Sequence, residues 1–264
     1  MSYRKASARL RRTVVILTLL LTGLRVLILQ TSFDKNGLLP FGSIALPVTV
    51  LVCAGFFGVL WFQSARLNRL PGRENAFSVQ GLWLPVKLIA AGLLLAGCVL
   101  ALTELEQFSL KSAELLIPVA GAVSALLLGW NSLRERRGES FFWVRLVPAI
   151  FTGAALVLRF RVWSHDPMVI HILPSLLAWT CCMVEMMLLS GFSLNVGHRR
   201  SAVLFGLAAG MFACMTVPDY LLGESGRVSL PDLLTLLGVA LWCFIAALEL
   251  LRDRTQREKP AAGI

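Results

Sequence analysis

The sequence predicts an all-α polytopic membrane protein, a bundle of eight transmembrane helices in four helical hairpins with short loops. Three observations carry this. Of 264 residues, 57% are hydrophobic and only 15% charged, with a mean hydropathy of +0.75; a soluble domain is nearer a quarter charged. The apolar residues fall in blocks of about 20, the length a helix needs to cross a ~30 Å hydrocarbon core. The basic residues cluster in every second connection.

The elements follow in order. The first, 13–30, comes after the basic segment "MSYRKASARLRR". A basic segment before an apolar run also marks signal peptides. Here no small-x-small cleavage site follows and the apolar character continues past Arg25 to Leu29, so an uncleaved helix is expected. The others are 44–63, 81–102, 113–131, 141–159, 169–190, 201–222 and 232–251. They are separated by turn formers such as "DKNG", "RLPGREN", "RRGES", "SHDP" and "GESG". Each even-numbered helix opens on a Leu-Pro or Ile-Pro step, at Pro47, Pro118, Pro174 and Pro231. Proline suits a first helical turn, where its missing N–H removes nothing; the recurrence also reads as a weak parallel repeat of hairpins. With no polar segment long enough for a soluble domain, residues 1–264 form a single transmembrane domain with short basic tails at 1–12 and 252–264.

Counting lysines and arginines orients the bundle. Seventeen of 25 lie in the N-terminal segment, the connections 64–80, 132–140 and 191–200, and the C-terminal segment. Both termini are therefore expected in the cytoplasm, with the protein in a cytoplasmic-type (plasma) membrane. Trp61, Trp83, Trp130 and Trp143 fall at the cytoplasmic helix ends, as an interfacial belt would. The net charge of +10 belongs to this pattern rather than to nucleic-acid binding.

Several chemistries find no support. The six cysteines all lie inside apolar blocks without CxxC spacing, and read as small packing residues. There is no HExxH, GxSxG or phosphate-binding Walker motif, and three histidines offer no ligand set. No metal, cofactor or catalytic residue is expected.

The candidate sites are charges inside the apolar blocks. In the sixth helix His171, Ser175, Ala178, Cys182 and Glu185 follow a +4, +3, +4, +3 spacing and share one stripe. In the fifth, Arg145, Ala149, Thr152, Leu156 and Arg159 do the same. Lipid offers polar groups no partner, so such stripes turn inward. A hairpin folded symmetrically about residue 165 would set Arg145 level with Glu185 and Arg159 level with His171. An Arg145–Glu185 pair is expected, with Lys87 as second candidate partner. Toward the outer side, Arg25, Asp219 and Asp166 form a second cluster, with Arg25–Asp219 the expected pair. Gly206 and Gly210, a GxxxG, mark a close helix contact, inside the bundle or with a protein partner or second copy.

Beyond the lipid bilayer itself, three function classes remain. The first is permeation of a small solute or ion along a thin polar path. The second is a membrane scaffold or regulatory subunit binding partner proteins through basic loops. The third, ranked last, is an intramembrane enzyme.

Overall fold

The computed structural model describes residues 3–31, 45–65, 83–104, 113–135, 142–163, 169–194, 196–222 and 228–251. Among these residues the fold is all-helical: α1 (Tyr3–Thr31), α2 (Ala45–Ser64), α3 (Trp83–Thr103), α4 (Ala113–Glu135), α5 (Phe142–Trp163), α6 (Val169–Ser193), α7 (Arg199–Leu222) and α8 (Leu230–Leu250). The sequence-based boundaries agree within a few residues except at the start of α1. That helix begins ten residues earlier than expected, because hydropathy delimits only its apolar part. Its basic segment is rich in Arg and carries Lys5, Ala6, Ala8 and Leu10, all good helix formers.

Seven helices are long and apolar enough to cross a membrane; the exception is α5. Its 22 residues include Arg145, Arg159 and Arg161. Large apolar side chains point outward, among them Leu19, Leu51 and Phe62, the last 84% exposed. In water a soluble protein would not leave so continuous an apolar face uncovered. The chain is a multi-pass membrane protein.

From α3 to α8 each helix packs on the next, and α8 closes the series by packing extensively on α3. The packing also runs on between successive hairpins, α4 against α5 and α6 against α7. α1 lies against α7, α2 touches α1 and α7, and α6 also reaches α8. α7 and α8 are the central elements: 72% of each spanning window is buried, against 28% for α1 and 22% for α2.

Glycine permits the tightest approach, between α3 and α8. A Cβ on Gly97 would lie 2.6 Å from Thr235 Oγ1 and 2.8 Å from the Pro231 carbonyl. One on Gly238 would lie 2.5 Å from the Leu94 backbone nitrogen. Backbone atoms cannot yield as a flexible side chain can, so hydrogen is the only fit at Gly238. The GxxxG of α7 is occupied inside the bundle by two different partners. Gly206 makes room for the carboxylate of Glu185, and Gly210 for the ring of Phe244, which a Cβ at that position would approach to 2.6 Å.

Candidate functional site

The buried charges lie in two layers. The near end is where α3, α5 and α7 begin and α4, α6 and α8 finish; the basic connections predict it to be cytoplasmic. The far end is the opposite one.

At the far end, Arg25 of α1 donates from Nε to Asp219 of α7 at 2.8 Å, and both side chains are buried. Arg25 continues the buried stripe of α1 formed by Leu10, Val14, Leu17, Leu21 and Ile28, so the helix that buries these apolar residues against α7 must also bury the guanidinium. Arg159 of α5 pairs with Asp232 in the first turn of α8, and its guanidinium stacks on Trp179 of α6, 4.4 Å from the ring centroid. Ser229 caps α8 by accepting from the Asp232 backbone N–H at 3.2 Å.

At the near end, Lys87 of α3 donates to Glu249 of α8 at 2.6 Å, again between buried side chains. Its ammonium lies 5.0 Å from the centroid of the Trp242 ring. The ring is fixed in turn by its indole N–H, which donates to Ser132 Oγ of α4 at 3.2 Å. The C-terminus of α8, where carbonyls lose their intrahelical donors, is closed by neighbours. Arg199 of α7 donates to the Leu250 carbonyl, and Ser7 of α1 to the Leu251 carbonyl at 2.8 Å.

Glu185 occupies the middle of this layer, fully buried. Neither carboxylate oxygen meets a hydrogen-bond donor from an N–H or O–H group among the described residues. The carboxylate packs on Gly206, and its polar neighbours are the thiols of Cys182 and Cys243, at best weak donors. The charge of Lys87 reaches it from α3.

The expected Arg145–Glu185 pair does not form. Arg145 Nη1 donates instead to the Leu189 carbonyl at 3.2 Å, four residues beyond Glu185. The guanidinium bonds on α6 about one helical turn, ~5 Å, closer to the near end than Glu185. Lys87, the second expected partner, is engaged by Glu249. Of the two stripes, Ser175, Ala178, Cys182 and Glu185 of α6 and Arg145, Ala149 and Thr152 of α5 are all buried. Thr152 is satisfied locally by the Ala149 carbonyl at 2.9 Å. The side chain of His171 and the whole of Asp166 lie outside the described residues; Arg159 pairs with Asp232.

Sequence reasoning overlooked Glu249, Asp232, Ser132 and Arg199. The available signal was their position in a first or last helical turn at the same end as an intramembrane cation. Among the described residues, no three His, Cys, Asp or Glu side chains are grouped to hold a metal ion. Comparison of the chain with protein families, with curated proteins and with solved structures finds no match to any of them.

Proposed function

We propose that the protein is a permeation protein for a small cation, the proton included, and that Glu185 is its intramembrane binding group. The observation carrying this reading is the carboxylate of Glu185, fully buried with no N–H or O–H donor on either oxygen. An ionised carboxylate in an apolar surrounding requires a positive charge or strong donors. The neighbouring arginines direct hydrogen bonds to backbone carbonyls, and the neighbouring lysine serves another acid. Intramembrane acids without a structural partner are characteristic of ion and proton pathways.

In this reading α5 is the eighth span. At ~1.5 Å per residue its 22 residues reach about 33 Å, and Arg145 and Arg159 make inward bonds. Both termini lie in the cytoplasm and the membrane is of plasma-membrane type, as the distribution of basic residues argues.

Purified protein in sealed liposomes provides the test, with a trapped pH dye reporting protons and radioactive sodium or potassium reporting metal cations. Wild type should conduct one of these ions above protein-free liposomes, and Glu185→Gln should abolish the flux. Wild-type flux equal to that of empty liposomes would reject the reading. The scaffold reading, supported by the basic connections on one side, would then take its place.

A further inference from the structure

Lys87 stands at a fork. Its ammonium is bonded to Glu249 and rests on the face of Trp242. The next residue of α8, Cys243, places its thiol beside Glu185. One cation is therefore bonded to one buried acid, while its charge also reaches a second that no N–H or O–H donor meets among the described residues.

We propose that Lys87 is the internal competitor for the cation site at Glu185, exchanging between Glu249 and Glu185 as that site fills and empties. The inference rests on the reading of Glu185 as a cation-binding group. When a cation or proton occupies Glu185, Lys87 remains with Glu249, the arrangement described above. When the cation leaves, Lys87 swings to Glu185 and keeps its charge compensated. No covalent bond changes.

Three features support a moving lysine rather than a moving helix. The last turn of α8 is held by Arg199 on the Leu250 carbonyl and by Ser7 on the Leu251 carbonyl. The Trp242 ring is held by Ser132, so the surface under the ammonium is fixed. Lysine carries a compact charge on a flexible four-carbon stem. The two acids also differ in depth. Glu249 is one residue from the end of α8, and Glu185 is eight from the end of α6, or about 12 Å at ~1.5 Å per residue. Glu249 can therefore tolerate loss of the lysine by meeting water at the near end, whereas Glu185 cannot. Among the described residues, the other titratable side chains beside Glu185 are Cys182 on its own helix and Cys243 on α8. Arg145 on α5 donates to the Leu189 carbonyl, and Gly206 of α7 packs on the carboxylate.

The test uses dicyclohexylcarbodiimide, an apolar reagent that modifies carboxyl groups in apolar surroundings, on the full chain in detergent. Mass spectrometry reads modification of the peptide carrying Glu185. Wild type and Lys87→Gln should be modified. Glu249→Gln removes the acid bonded to Lys87 and should lower modification about tenfold or more, the size of a population shift the lysine can impose. The double variant Lys87→Gln with Glu249→Gln should restore it. Modification in Glu249→Gln equal to or above wild type would overturn the proposal, as a merely structural pair would loosen and expose the site. Absence of modification in all four forms would overturn it as well. Should Glu249→Gln fail to fold, Glu249→Asp should give a smaller decrease, and an unchanged or increased level would count against the exchange. The flux measurement is independent. Suppressed modification without flux removes the permeation reading and leaves the exchange standing; flux with unchanged modification removes the exchange alone.

Discussion

The two ends of the bundle use their charges differently. At the far end the buried Arg25 meets Asp219 and the half-buried Arg159 meets Asp232. At the near end Arg145 and Arg199 donate to backbone carbonyls, Lys87 takes Glu249, and Glu185 is left without an N–H or O–H donor among the described residues. α8 participates at both ends, through Asp232 and Glu249, about 25 Å apart along a helix of ~1.5 Å rise. Matched charges hold helices in register. An unmatched one ties no helix to its neighbour. Buried charge by itself therefore does not mark a site; the informative residue is the one whose neighbours leave it uncompensated.

This contrast can be broken at several points, in decreasing order of expected effect. Arg25→Met strands Asp219 in a dry site and should lower the unfolding free energy in detergent by about 3–5 kcal/mol. Lys87→Met leaves Glu249 one residue from the end of α8, where water can reach it, and should cost less than Arg25→Met, read by thermal denaturation of the purified protein. The Arg25→Met, Asp219→Leu double variant should recover much of the loss, because neither charge remains unpaired. Gly238→Ala pushes a methyl group onto the α3 backbone and should cost about 1–3 kcal/mol. Gly206→Ala meets the Glu185 carboxylate instead and should be partly rescued by Glu185→Ala, a coupling absent for Gly238. Arg159→Met should cost about 1 kcal/mol or less, since the side chain of Asp232 is 41% exposed and water can replace the arginine.

Much of the fold was legible because a helix in lipid must satisfy its own backbone and expose apolar side chains, and both demands are written into block length and composition. The stripes of α5 and α6 were legible for the same reason: polar residues at helical spacing have to face inward. The Arg25–Asp219 contact could be drawn because each is a lone charge at the same depth. The remaining pairs were hidden by where their acids sit. Asp232 and Glu249 lie in the first and last turns of α8, where an acid reads as interfacial rather than as the partner of Arg159 or Lys87. Depth matching between neighbouring helices reaches neither, since it presupposes that partners share a hairpin. It also set Arg145 against Glu185 with an assumed turn centre, and a shift of one helical turn sufficed to move the arginine to a carbonyl. The closest helix contact was missed because Gly97 and Gly238 sit on different helices, whereas a GxxxG announces itself on one.

If Glu185 has no structural partner while Asp219 at the far end has one, the two acids must respond oppositely to neutralisation. Thermal denaturation of Glu185→Gln beside Asp219→Asn reads this, because both changes remove one charge and keep the shape. Asp219→Asn leaves Arg25 buried without its acid and should cost about 3 kcal/mol or more. Glu185→Gln removes a buried charge that no N–H or O–H donor meets, and should leave the melting temperature unchanged or raise it. A loss for Glu185→Gln as large as that for Asp219→Asn would mean that a structural partner holds Glu185 after all, and that the two ends of the bundle do not differ.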